Sequence, residues 1–151
     1  AGLSAANASN TAPYEIMATV MAAGMVPPLA MSAATFLRSR LFTKAEVENG
    51  RSAWLLGLSF ISEGAIPFAA ADPLRVIPAC MIGAATTGAL VGLMHIELAA
   101  PHGGVFVMLI PGAITNVPMY CAAIAAGAVV TALGLGIFKK PMTTQAQAAT
   151  A

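Results

Sequence analysis

The 151-residue chain is 58% hydrophobic and only 9% charged, with a mean hydropathy of +0.82. A soluble domain is about 25% charged because its surface faces water, so most of this surface must face lipid or other protein. Seven basic residues against six acidic ones leave a net charge of +1, which removes any electrostatic case for nucleic acid as a partner.

Residues 1–12 are small and polar, without the pattern of a signal peptide, and read as a linker or junction. An uncharged run of about 22 residues over 16–37 is long enough to cross a bilayer. Pro27 and Pro28 lie inside it, so a kink or a break is expected there. The segment 38–51 is polar, with Arg38, Arg40, Lys44 and Arg51 against Glu46 and Glu48, and reads as a loop.

The stretch 52–71 is apolar at both ends but carries Glu63 near its middle, followed by Gly64 and Pro67. An ionised carboxylate at the centre of a bare spanning helix costs several kcal/mol, roughly 3 or more. The economical expectation is a re-entrant hairpin whose irregular tip is buried in protein or lines a cavity, with Pro67 as a structural breaker. Asp72 then reads as the N-cap of a helix that starts at Pro73, with Arg75 at the rim and within reach of Asp72.

A second uncharged run, 76–94, is a further span of about 19 residues; its Gly88-x-x-x-Gly92 spacing suits close helix approach. His95 and Glu97 follow at a solvated rim. Residues 101–118 are apolar but broken by Gly103-Gly104, Pro111-Gly112 and Pro118, which suggests a second re-entrant element. Residues 117–138 form a last span, stopped by Lys139-Lys140-Pro141, and residues 142–151 read as a disordered tail. The expected fold is an all-α, multi-pass membrane protein with about three spanning helices and two re-entrant hairpins. With the 38–51 segment inside, this arrangement also puts Arg75, Lys139 and Lys140 on the inside.

A carboxylate on an interrupted segment at membrane depth suits a polar solute. Glu63 can accept from two sugar hydroxyls through charge-assisted bonds; the alternative is that it caps backbone N–H groups of the hairpin. Ser62 beside it is a further candidate contact. His102, followed by two glycines, can donate to or accept from a hydroxyl; alternatively it is an interfacial side chain satisfied by backbone carbonyls. Asn116 can contact a solute or satisfy buried backbone. Cys80 and Cys121 lack CxxC spacing and a nearby His pattern, so they read as buried free thiols and imply no metal. There is neither a GxxxxGK[ST] loop nor a GxSxG elbow, so no nucleotide cofactor and no serine hydrolase are implied, and no residue stands out as catalytic.

The segment 57–78, together with Ala100-Pro-His-Gly-Gly104 and Ala22-Ala-Gly-Met-Val-Pro-Pro-Leu29, resembles the fructose-family enzyme IIC of the bacterial phosphoenolpyruvate-dependent phosphotransferase system. The resemblance runs over residues 13–141 and covers the C-terminal half of that family's membrane domain. It implies a permease of the bacterial inner membrane that binds a sugar, by default fructose, and works as the membrane part of a phosphotransferase complex. A partner IIB domain with a phosphocysteine, itself served by IIA, phosphorylates the sugar. By motif, Glu63 matches the hairpin glutamate that binds sugar hydroxyls in related proteins, and His102 lies in the family's Pro-His-Gly-Gly. The IIB phosphocysteine motif is not found around either cysteine, so the segment itself carries no phosphoryl-transfer residue. The resemblance further implies contact with the N-terminal half of the permease and a homodimer. Two other readings stand beside it: an ion-coupled sugar transporter with Glu63 carrying a proton, and a membrane assembly module that does not itself transport.

Overall fold

The structure, a computed structural model, describes residues 12–139. The tail expected over 142–151, the Lys140-Pro141 stop and all of the expected linker except Ala12 lie outside the described residues. In chain order the helices are α1 (Ala12–Leu37), α2 (Lys44–Leu58), α3 (Ile66–Ala71), α4 (Pro73–Leu93), α5 (Val105–Met108) and α6 (Val117–Phe138), with 3-10 turns at Ser39–Leu41 and Ser62–Ala65. Of these, α1, α4 and α6 are long and apolar enough to cross a membrane. The fold is therefore an all-α membrane protein, as the hydropathy pattern requires.

The three long helices alternate in direction. His95 after α4 meets Glu15 at the start of α1, and Thr87 of α4 donates to the Ala123 carbonyl of α6. Arg38 after α1 reaches the Gly136 carbonyl near the end of α6. One end of the bundle thus collects Arg38, Arg40, Lys44, Arg75 and Lys139, and the other carries Glu15, His95 and Glu97. That is the charge separation expected of a chain that crosses three times.

Four sequence expectations need correction. First, α1 runs unbroken through Pro27 and Pro28: each proline removes one N–H donor, but its fixed φ already suits a helix. Second, the polar segment 38–51 is only in part a loop, because α2 starts at Lys44. The reason is a capping box in which Thr43 accepts from the Glu46 N–H at 3.2 Å and Glu46 accepts from the Thr43 N–H at 2.7 Å. Third, of Gly88 and Gly92 only Gly88 packs closely, an added Cβ lying 3.2 Å from Thr19 of α1, and neither is the tightest approach. A Cβ on Gly92 would meet nothing, whereas one on Gly83 would collide with Thr131 and the Gly127 carbonyl, and one on Gly127 with Thr87 and the Gly83 carbonyl. The reciprocal pair Gly83 and Gly127 brings α4 and α6 backbone to backbone. Nor are both thiols buried: Cys80 is half-buried and Cys121 is exposed, 3.6 Å from the Met108 sulfur.

At the basic end the Glu46 carboxylate also accepts from Lys139 at 2.7 Å, with the two side chains 5% and 6% exposed. The Lys139 ammonium sits 4.2 Å from the centre of the Phe42 ring, and Phe42 packs edge-on against Phe68 at 6.0 Å. One carboxylate thus caps α2, neutralises a buried ammonium and ties the end of α6 to the start of α2.

Two stability tests follow from this packing, both read as thermal unfolding of purified protein in detergent. Gly83→Ala and Gly127→Ala should each destabilise by about 1–3 kcal/mol through overpacking, while Gly92→Ala should be neutral or stabilise by up to about 1 kcal/mol. Lys139→Met should cost about 3–5 kcal/mol by stranding a buried carboxylate, and adding Glu46→Gln should recover most of that loss.

Candidate functional site

The first re-entrant element enters from the basic end as α2, whose 15 residues reach about 22 Å, short of the roughly 30 Å hydrocarbon core. It ends where Ser59 donates back to the Leu55 and Leu56 carbonyls. Phe60 then turns the chain with a left-handed backbone, φ 61°, and Ile61 donates to the Leu56 carbonyl at 2.8 Å. The return arm is the Ser62–Ala65 turn and α3, with Pro67 in the first turn of α3, where a missing N–H does no harm. Gly64 and Ala65 are buried, Gly64 against Leu56 and Pro28, while Glu63 between Ser62 and Gly64 is exposed.

The tip is fastened to the middle of α1. Ser62 Oγ donates to the Gly24 carbonyl at 2.8 Å. That carbonyl lies four residues before Pro28, which has no N–H to give it. The proline thus frees an acceptor on α1, and the hairpin serine takes it.

The second element leaves the opposite end and returns to it. Its base is paired, with Ala99 donating to the Ala113 carbonyl at 2.9 Å and Thr115 to the Glu97 carbonyl at 3.1 Å. Its inner turn is His102–Gly104. A Cβ on Gly103 would lie 2.6 Å from Met21 Cβ and 3.0 Å from the Phe60 ring, and one on Gly104 would lie 3.1 Å from the Leu58 carbonyl. Only glycine lets this turn seat against the first tip. The two re-entrant tips therefore meet beside the middle of α1.

At that junction His102 Nδ1 accepts from the Gly104 N–H at 3.1 Å, and its ring meets Phe60 edge-on, 5.6 Å between centres. Because Nδ1 accepts, the neutral imidazole carries its proton on Nε2, where it can donate. Backbone thus engages His102 as a donor to its ring nitrogen, the reverse of satisfaction by carbonyls. The Glu63 carboxylate makes no hydrogen bond or ion pair with any described residue, and the Ser62–Ala65 turn has no side-chain cap. In the structure Glu63 thus caps no backbone N–H among the described residues. What remains is an acceptor-only carboxylate on one tip and an N–H donor on the other, which is the complement of a polyhydroxyl solute.

The other sequence candidates fall elsewhere. Asn116 caps α6, its side-chain oxygen accepting from the Met119 N–H at 3.3 Å, at the end away from the basic residues. Asp72 occupies the N-cap position of α4, with Pro73 as the first helical residue, but makes no side-chain capping bond; it pairs with Arg75 at 3.0 Å instead. Sequence reasoning missed Phe60, whose apolar side chain carries no chemical signal, and the Gly24 carbonyl, whose signal was Pro28 four residues on. It also missed Tyr120, buried in the apolar core with its hydroxyl lacking a hydrogen-bond partner among the described residues.

Comparison with known proteins gives several long matches. The chain is 56% identical over 132 residues to the "PTS system fructose-specific EIIB'BC component" of Escherichia coli K12, covering 87% of this chain and 23% of that protein. It is 50% identical over 143 residues to the "PTS system fructose-specific EIIABC component" of Bacillus subtilis 168, covering 94% and 21%. With the "Fructose permease IIC component" of Bacillus amyloliquefaciens it shares 49% over 142 residues, 93% of this chain and 44% of that protein. The chain thus spans less than half the length of these relatives. No protein-family model and no solved structure matches it.

The Ser62–Gly24 bond predicts a compensating pair. Ser62→Ala should lower stability in detergent by about 1–3 kcal/mol by leaving the Gly24 carbonyl unpaired at membrane depth. In a Pro28→Ala background, where the helix again supplies the N–H, the same substitution should cost less than about 0.5 kcal/mol.

Proposed function

We propose, from 49–56% identity to fructose-specific phosphotransferase-system components, that the chain is part of the EIIC membrane domain of such a system and forms part of its sugar path. In this reading residues 13–141 are the C-terminal half of a membrane domain in the bacterial inner membrane, with the basic end in the cytoplasm. Fructose is held where the two re-entrant tips meet. The observation that carries the proposal is the exposed Glu63, without a hydrogen-bond partner among the described residues, on one tip, where the neighbouring Phe60 meets the His102 imidazole of the other.

The division of labour follows from the donors and acceptors. Glu63 accepts from sugar hydroxyls, with charge-assisted bonds roughly twice as strong as neutral ones. His102 donates from Nε2 to a sugar oxygen. Ser62 has given its proton to Gly24 and offers only lone pairs, and Asn116 serves α6, so neither is a principal ligand. No group in the segment carries a phosphoryl group. A IIB domain, itself charged by IIA, phosphorylates the sugar from the cytoplasmic side, and the N-terminal half of the permease closes the path, in a homodimer. The printed names of the relatives, which join B and C or A, B and C components, support that partnership.

The test is phosphoenolpyruvate-dependent uptake of labelled fructose by membranes carrying the complete permease. Glu63→Gln, inserted at the wild-type level, should lose at least about tenfold in uptake, since hydrogen bonds to a charged group contribute about 1.5–3 kcal/mol. A mutant that accumulates sugar phosphate as well as wild type does would remove Glu63 from the site. Uptake driven by an ion gradient, with free sugar as product, would replace the phosphotransferase reading with a secondary transporter.

A further inference from the structure

Phe60 is out of place by the local rules of the chain. It adopts φ 61°, a left-handed conformation that is a genuine outlier for a bulky residue and is the province of glycine, Asn and Asp. Such a residue persists only where its surroundings over-determine it. Here the ring supplies that determination. It lies against two glycines from two different elements: a Cβ on Gly24 would come to 2.8 Å from its Cε2, and one on Gly103 to 3.0 Å from its Cδ2. The slot that α1 and the second re-entrant element leave by lacking side chains is filled by the ring of the first.

The same ring faces His102 edge-on, at 5.6 Å between centres and 62° between planes. Among the described residues the imidazole has one polar tether, the Gly104 N–H to Nδ1. That single bond selects the tautomer but leaves the ring free to swing about the bond axis. A second contact from a rigid face is needed to fix where Nε2 points.

We propose that Phe60 is a positioning residue of the sugar site, which holds the His102 imidazole in its donating orientation and joins the two re-entrant tips into one unit. The proposal rests on the reading of Glu63 and His102 as sugar ligands. It makes Phe60 act through His102 and not on the sugar itself. Loss of the ring therefore weakens sugar binding without altering the later phosphoryl transfer, which appears as a raised KM at nearly constant maximal rate.

The experiment measures KM and maximal rate of phosphoenolpyruvate-dependent fructose uptake in the complete permease, at matched membrane levels. Phe60→Gly removes the ring and tolerates the left-handed turn, whereas Phe60→Tyr keeps the ring. Phe60→Gly should raise KM about tenfold, the size of one lost hydrogen bond, with the maximal rate within about twofold, and Phe60→Tyr should restore wild-type KM. In a His102→Gln background Phe60→Gly should add nothing further, because its partner is already gone. Should Phe60→Gly fail to reach the membrane, Phe60→Leu carries the same comparison. An unchanged KM, or a full additional loss in the His102→Gln background, overturns the proposal and leaves Phe60 as packing. If Glu63→Gln is inactive while the Phe60 variants behave as wild type, only this inference falls; if Glu63→Gln and His102→Gln are both silent, the sugar-site reading falls and takes it along.

Discussion

The Gly24 carbonyl is the point on which the interior of this protein turns. At membrane depth there is no water to satisfy a backbone group that a helix leaves open, and Pro28 leaves this one open. The hydroxyl of Ser62 closes it at 2.8 Å, and in doing so fixes the height and rotation of the first re-entrant tip. Everything nearby follows from that placement. Phe60 enters the slot beside Gly24, the Gly103 turn seats on Phe60, and Glu63, one residue beyond the anchor, faces away from protein. A defect in one helix and a loop in another are each other's remedy, which explains how irregular backbone is held inside a bilayer.

Rigidity is distributed unevenly around this point. The α4–α6 pair is locked by Gly83 and Gly127 against Thr131 and Thr87, and the basic end by Glu46, Lys139 and the Phe42–Phe68 pair. Between these two fixed regions the tips are held by the Ser62–Gly24 bond and by the packing of Phe60, Gly64, Gly103 and Gly104 against α1 and α2.

Much of this was legible in the residues. Uncharged run length marked the three spans, and Glu63 with Gly64 and Pro67 marked the hairpin, because a charge and helix breakers at membrane depth exclude an ordinary span. What stayed hidden depended on which face of a helix meets which neighbour. The Gly88 and Gly92 spacing matches a contact motif, yet Gly83 is the glycine turned toward α6. The Thr43-Lys-Ala-Glu46 capping signature was present, but the density of charge around it read as loop. Pro27 and Pro28 carried a double meaning, since a proline both threatens its own helix and offers a carbonyl to another element, and only the neighbour decides which matters. Asp72 stood at the right position for a cap, yet Arg75 three residues on took its carboxylate.

The Glu46–Lys139 pair has a consequence in time. Its partners are 93 residues apart, so on a ribosome adding roughly 5–20 residues per second the glutamate precedes its lysine by about 5–20 s. Throughout that interval the carboxylate lacks this counter-ion. Only the arrival of the final helix supplies it. The pair is therefore a clasp that can shut only once the last of the three long helices has been made.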